Sequence, residues 1–280
     1  PHMVLAVNKM DLVDWDEKVF DRIREEFSAF ASKLAIPDLE VIQISALMGD
    51  NVVTRSTNMP WYDGASLMHH LEHVNVASDR DLIGTRFPVQ YVIRPKSDDF
   101  HDYRGYAGRI VGGVMKPGDE VVVLPSGMPT RIESIEFFGK EIPEAFNPMS
   151  VTIRLEDDVD VSRGDMICRV HNAPTPTQDI DAMICWMTNE PLRARQKLII
   201  KHTTRSARVM VQDVQYRLNV NTLHRDQDAD ELGLNEIGRV QLRSTLPLLT
   251  DPYRKNHSTG SFILVDEGTG ATVGAGMISG

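Results

Sequence analysis

Over the first fifty positions the apolar residues change period twice. Val4-Leu5-Ala6-Val7 is an unbroken apolar run, which suits a parallel strand covered on both faces. From about 15 to 34, Val19, Ile23, Phe27, Phe30 and Leu34 recur at helical spacing, with Asp14 as N-cap and Glu17 three residues on. Pro37 ends that helix, and 39–44 alternates as a second strand. Strand, helix and strand in that order predict a right-handed crossover between parallel strands. A short helix is expected over about 65–74. Beyond 81 the texture becomes short strands between Gly and Pro turns, the pattern of compact barrels. One set covers 87–93, 108–111, 120–124, 131–138, 151–155 and 166–170. Within it, Lys116-Pro117-Gly118-Asp119 carries Pro and Gly at the central positions of a type II turn. Residues 172–178, with Pro174 and Pro176, read as a linker. A second set then runs over 182–280, from Met183-Ile184-Cys185-Trp186 to the apolar run at 272–278. The expected organisation is an α/β unit over 1–80, one β-barrel over 81–172 and another over 173–280.

Two short motifs sit at the ends of the two expected parallel strands, where open α/β sheets bind ligands. Asn8-Lys9-Met10-Asp11 matches N-K-x-D, the guanine-reading element of GTP-binding proteins. A carboxylate at Asp11 can accept from both guanine N1–H and the exocyclic N2 amine. Adenine offers no such pair and would leave the carboxylate unmatched, at about 1–3 kcal/mol. The Asn8 amide can donate to the Hoogsteen edge or tie neighbouring loops together. The Lys9 stem can lie over the base while its ammonium stays in water. Ser45-Ala46-Leu47 matches the second guanine loop, S-A-[LK], in which the Ala46 N–H would donate to guanine O6. N-K-x-D, one helix, one strand and then S-A-L is far more specific than either motif alone.

The phosphate-handling half of such a site has no counterpart. No G-x-x-x-x-G-K-[ST] occurs, and the nearest Gly-Lys pair, Gly139-Lys140, is followed by Glu141. D-x-x-G occurs at Asp81 to Gly84, Asp102 to Gly105 and Asp230 to Gly233, always after S-A-L and so in the wrong order; each reads as turn chemistry. Without a phosphate-binding lysine and a Mg²⁺-binding Ser or Thr, phosphoryl transfer lacks its charge clamp and its metal. The chain is therefore expected to be N-terminally truncated and inactive as a GTPase by itself. Pro1-His2-Met3 resembles a cloning or cleavage scar and is set aside from fold reasoning.

Composition narrows the class. The chain has 280 residues, 41% hydrophobic and 25% charged, enough for two or three packed units. No run approaches a membrane span, no signal peptide is visible, and a cytoplasmic protein is expected. Cys168 and Cys185 lie in apolar strand patterns and are expected as thiols rather than a disulfide. The net charge of −10 argues against a large nucleic-acid footprint. His69 and His73, one helical turn apart, could reach one metal, but with no third ligand in view an exposed polar face is expected and no metal is assigned.

The wider layout resembles a family. A GTP-binding domain followed by two β-barrels is the arrangement of translation elongation GTPases and their relatives. Met59-Pro60-Trp61-Tyr62-Asp63-Gly64, Gly49-Asp50-Asn51 with the segment on to Ser56, Arg104-Gly105-Tyr106-Ala107-Gly108-Arg109-Ile110, Lys201-His202-Thr203-Thr204 and Thr259-Gly260-Ser261-Phe262 resemble the large GTPase subunit of sulfate adenylyltransferase. The similarity runs from Val4 to Gly280; the family's P-loop, switches and Mg²⁺ ligands have no match. The first unit would thus be an α/β remnant of a P-loop GTPase domain. The resemblance implies that a smaller partner subunit makes adenosine 5′-phosphosulfate from ATP and sulfate while GTP hydrolysis drives it. GTP and Mg²⁺ would serve the full-length protein, with neither held tightly by this chain. Asn8, Lys9 and Asp11 would read the base, Ser45, Ala46 and Leu47 would close over it, and no residue is assigned a catalytic role. The barrels would be contact surfaces, no nucleic acid or membrane is implied, and some members carry a fused adenylylsulfate kinase domain. The rival is an elongation-type GTPase carrying aminoacyl-tRNA, which a salt-sensitive tRNA complex would distinguish. In a third reading, Phe100, Tyr103 and Tyr106 are contact aromatics of an interaction module; an ordinary barrel hairpin is the expectation.

Overall fold

The computed structural model describes residues 2–34, 36, 38–74, 84–95 and 103–279. Pro1, Pro37, Phe100, Asp102 and the Asp81 end of the first D-x-x-G lie outside the described residues. The chain divides into two compact units, Pro1–Arg80 and Asp81–Gly280.

The first unit is built on β1 (His2–Val7) and β2 (Asp38–Gln43), paired in parallel with Val7 opposite Gln43 and joined by α1 (Glu17–Ala31). His2 and Met3, set aside as a scar, belong to β1 in register with Asp38 and Leu39, and the His2 imidazole meets the Asp38 carboxylate. The apolar run of β1 predicts burial on both faces, yet only Val7 is buried. Helix α1 begins two residues later than its pattern suggests. Asp16, not Asp14, caps it by accepting from the Lys18 N–H at 2.8 Å, because Asp14 and Trp15 both have positive φ and cannot lead into a helix. Its buried side chains are Phe20 and Ala31, and Phe20 joins Val7, Met10 and Met59 in a small core with Trp15, Trp61 and Tyr62 against it. A second helix, α2 (Leu67–His73), is capped by Ser66.

The second unit is almost entirely antiparallel β. Its first ring comprises β3 (Phe87–Ile93), β4 (Gly105–Arg109), β5 (Glu120–Leu124), β6 (Met128–Phe137), β7 (Ser150–Leu155) and β8 (Met166–Arg169). The pairing order β7-β4-β3-β8-β5-β6 closes on itself because β6 also pairs with β7. Phe87, Tyr106, Ile135 and Ile153 are among the side chains that fill this barrel. Gly118, at φ 85° in the Lys116–Asp119 turn, adopts the conformation that a type II turn demands of its third residue.

The second ring comprises β9 (Pro176–Trp186), β10 (Lys197–His202), β11 (Arg205–Leu218), β12 (Ile237–Leu249), β13 (Ser261–Val265) and β14 (Thr272–Ile278). Its order β10-β13-β14-β9-β12-β11 closes through β10 and β11. Strand β9 starts inside the stretch read as a linker. Pro176 pairs opposite Leu249 as the first residue of its strand, a position where the missing N–H is tolerated. From Ile180 the strand alternates strictly, with Ile180, Ala182, Ile184 and Trp186 turned into the core. Gly276 is required by close approach: a Cβ there would stand 2.2 Å from the Phe262 ring.

The two rings meet around a buried ion pair. The Arg86 Nε and one terminal nitrogen donate to the two carboxylate oxygens of Asp251 at 2.8 and 2.9 Å, while the other terminal nitrogen donates to the Thr85 and Asn172 carbonyls. Thr259 donates its hydroxyl to Asp251 at 2.7 Å, and Asn256 Nδ2 donates to the Val111 carbonyl. Leu124, Met166, Cys168 and Leu249 pack beside it.

Candidate functional site

The two guanine-type loops leave the sheet side by side because their flanking backbones are bonded to each other. Ile44 N–H donates to Val7 O at 2.8 Å and Met10 N–H donates to Ile44 O at 3.3 Å. Lys9, at φ 68°, turns the chain into a 3₁₀ turn over Met10–Val13, and Met10 is buried beneath it as an anchor. Asp11 follows, half-buried. One of its oxygens, Oδ1, accepts from Ser45 Oγ at 2.6 Å, and that hydroxyl accepts from the Met48 N–H at 3.1 Å. Asp11 Oδ2 has no protein partner among the described residues, so one carboxylate oxygen is held and the other is open. Asn8 Oδ1 accepts from its neighbour's N–H at 2.7 Å and from the Ala46 N–H at 3.0 Å, the loop-tying role open to it from sequence. A base acceptor at Ala46 must share or displace that last bond.

Asn8, Asp11, Ser45 and Ala46 are therefore joined by direct hydrogen bonds. Lys9 is exposed, and Leu47, 84% exposed, stands clear of the core. Ser45 is fully buried, which explains its residue type: a hydroxyl there both orients a carboxylate and accepts a backbone N–H, and an apolar residue would leave both unpaired.

Behind these loops lies a second tier that motif reading did not assign to the site. Asp50 is buried, accepting from Trp15 Nε1 at 2.9 Å through one oxygen and from Ser56 Oγ and Asn58 Nδ2 through the other. Its carbonyl also accepts from Ser45 N–H at 3.1 Å. Asn51, in the left-handed region at φ 54°, donates to Gln43 O and accepts from Ser56 N–H. Trp61 Nε1 donates to Trp15 O at 3.2 Å, and its ring lies 5.6 Å from that of Phe20. The residues had a signal in the Gly49-Asp50-Asn51 and Met59-Pro60-Trp61 strings. Trp15 had none, since its partner is thirty-five positions away.

Other candidates resolve into structure. His69 and His73 stack at 4.1 Å, with His73 Nδ1 against the His69 carbonyl. Among the described residues no group of three or more His, Cys, Asp or Glu is placed to hold a metal ion. Tyr106 is buried in the first barrel and donates to Val159 O, so it offers no contact face. Cys168 and Cys185 are free thiols, and burial pushes Cys168 up to about 12. At the barrel junction, burial works to raise Asp251, but the hydrogen bonds from Arg86 and Thr259 outweigh it and hold the carboxyl below its ordinary value. No helix among the described residues is long and apolar enough to cross a membrane.

Comparison with known proteins shows what the chain is similar to. The description GTP-eEF1A C-terminal domain-like matches residues 179–279, the second barrel. The bifunctional enzyme CysN/CysC of Mycobacterium tuberculosis is 56% identical over 278 residues, covering 99% of this chain and 45% of that protein. Sulfate adenylyltransferase subunit 1 of Alteromonas mediterranea is 44% identical over 277 residues, covering 99% of this chain and 58% of that protein. The chain is thus similar over nearly its whole length to proteins named sulfate adenylyltransferase subunit 1 and CysN/CysC. It spans about half the length of the curated relatives it matches. A similar fold is seen in a solved structure of Sup35 complexed with GMPPNP. That structure aligns with a TM-score of 0.66 at 21% identity, over 99% of this chain and 69% of the other, a likeness of fold. The α/β element followed by closed β-barrels is thus a fold that this chain shares with that structure.

Proposed function

We propose that the chain is part of the GTPase subunit of a sulfate adenylyltransferase, which couples GTP hydrolysis to formation of adenosine 5′-phosphosulfate from ATP and sulfate. Its role is to read the guanine base and to present barrel surfaces to a smaller adenylyl-transferring subunit in the cytoplasm. The observation that carries this reading is the Asp11 carboxylate, held at one oxygen by Ser45 Oγ at 2.6 Å and open at the other. Guanine offers an N1–H and an N2 amine to such a group, and adenine does not. Asn8 and Ala46 flank the base edge, Lys9 covers its plane, and Leu47 supplies apolar cover. GTP and Mg²⁺ belong to the complete protein, whose P-loop and switches would hold the phosphates and the metal. The working division is 1–80 for the base-reading unit, 81–172 for the first barrel and 173–280 for the second. A fused adenylylsulfate kinase domain is one form the complete protein takes, as the name CysN/CysC of one relative suggests.

Two measurements test the reading. In the complete protein, Asp11→Asn weakens GTP by tenfold or more, about 1.4 kcal/mol, and improves xanthosine triphosphate, whose C2 carbonyl accepts from an amide. Unchanged GTP affinity would remove Asp11 from the base site. The 280-residue chain alone hydrolyses no GTP, because it carries no phosphate-binding loop. Calorimetry showing micromolar, Mg²⁺-dependent GTP binding to it would overturn that expectation.

A further inference from the structure

The bond between Trp15 and Asp50 joins the exits of the two guanine loops. Trp15 lies four residues after Asp11 and Asp50 five residues after Ser45, and Trp15 Nε1 donates to Asp50 Oδ2 at 2.9 Å. Neither partner is free to drift. Trp15 sits at φ 54°, an uncommon conformation for a bulky residue, and its carbonyl is bound by Trp61 Nε1, which packs on Phe20 of α1. Asp50 is held by Ser56 and Asn58 through its other oxygen, and its backbone carbonyl receives the N–H of Ser45 itself. A rigid line therefore runs from helix α1 through Trp61, Trp15 and Asp50 to Ser45, whose hydroxyl holds Asp11. An apolar pair could fill the same space, but only a directional bond fixes distance and angle between two loops.

We propose that Trp15 and Asp50 are positioning residues for guanine selectivity: their bond sets the spacing between the Asp11 carboxylate and the Ala46 N–H. The proposal rests on the base-reading role of Asp11. Inosine monophosphate lacks the N2 amine and so loses only the contact that Asp11 makes there, which makes the ratio of guanosine to inosine monophosphate affinity the sensitive readout. Ligand-observed NMR on the 280-residue chain, with both nucleotides at millimolar concentration, measures it.

The unaltered chain is expected to favour the guanosine nucleotide, and Trp15→Phe to lower that ratio by roughly three- to tenfold, the scale of one hydrogen bond to a charged group. Asp50→Asn, close to isosteric, is the second variant if Trp15→Phe does not fold, and moves the ratio in the same direction. A purely structural role would lower the melting temperature and leave the ratio alone. A folded variant with an unchanged ratio therefore overturns the clamp while the base site stands. If the unaltered chain shows no guanosine preference, or Asp11→Ala retains it, the base-site reading fails and the clamp fails with it.

Discussion

Each barrel closes its sheet, β6 on β7 and β10 on β11, so every strand of the ring has a partner on both sides. Among the described residues the α/β unit has two paired strands, and each has one edge without a strand beside it. The consequence runs through the side chains. In the barrels, alternating strands aim apolar residues into a continuous core, and hydrogen bonding is carried mainly by the backbone ladders. In the α/β unit few apolar side chains are fully buried, and loops are held by Asp50, Asn51, Ser45 and Asn8 instead. Ladders tolerate varied side chains, whereas a polar network depends on each member. The residues proposed to read a base are among those that also hold the loops.

Four changes test this contrast. The largest effect is expected where the barrels themselves rely on a polar contact. Arg86→Ala removes the two guanidinium bonds to buried Asp251, leaving it the Lys255 ammonium at 3.7 Å, and should cost about 3–5 kcal/mol, read by denaturant unfolding followed at Trp186. A loss below about 1 kcal/mol would show that the junction does not need the pair. Next, Asn51→Ala removes one buried and one part-buried hydrogen bond and leaves a non-glycine residue in the left-handed region. It should destabilise the α/β unit by about 2–3 kcal/mol. Trp15 and Trp61 report that unit in a Trp186→Phe background; equal loss at the barrels would blur the distinction drawn above.

A shallower effect concerns pH. Burial holds the His202 imidazole below its ordinary 6.5, against the opposing pull of the Thr259 carbonyl and Asp251. The folded chain thus prefers neutral histidine while the unfolded chain protonates near 6.5. The contribution is complete above that pH and is lost as pH falls from 6.5 towards the depressed folded value. His202→Gln should flatten barrel stability in that window, and an unchanged slope would assign it elsewhere. The smallest effect belongs to an exposed pair: Arg193→Ala, which breaks the Glu231 bridge, should change stability by less than about 0.5 kcal/mol.

Much of the fold was legible in residue order. β3, β5 and β14 fall where their apolar runs are bounded by turn residues, and the crossover of β1, α1 and β2 follows from period alone. Other boundaries moved for local reasons. Helix α1 starts at Asp16 because Asp14 and Trp15 have positive φ, which a periodicity of side chains does not register. β9 extends back to Pro176 because Leu249 pairs with it, and only the partner strand could reveal that. Leu47 is exposed, and nothing local in the sequence decides where a side chain on an exposed loop rests.

Sequence alone determined that the Asn8-Lys9-Met10-Asp11 and Ser45-Ala46-Leu47 motifs, here proposed to read guanine, were present, and in what order the strands and helices came. Both are matters of chemistry and short-range spacing. Tertiary structure decided that Ser45 holds one oxygen of Asp11, that Asn8 spans to Ala46, and that Trp15 meets Asp50. Those contacts join positions more than thirty residues apart. Their geometry depends on the register of two parallel strands and on backbone angles that no run of residue types encodes.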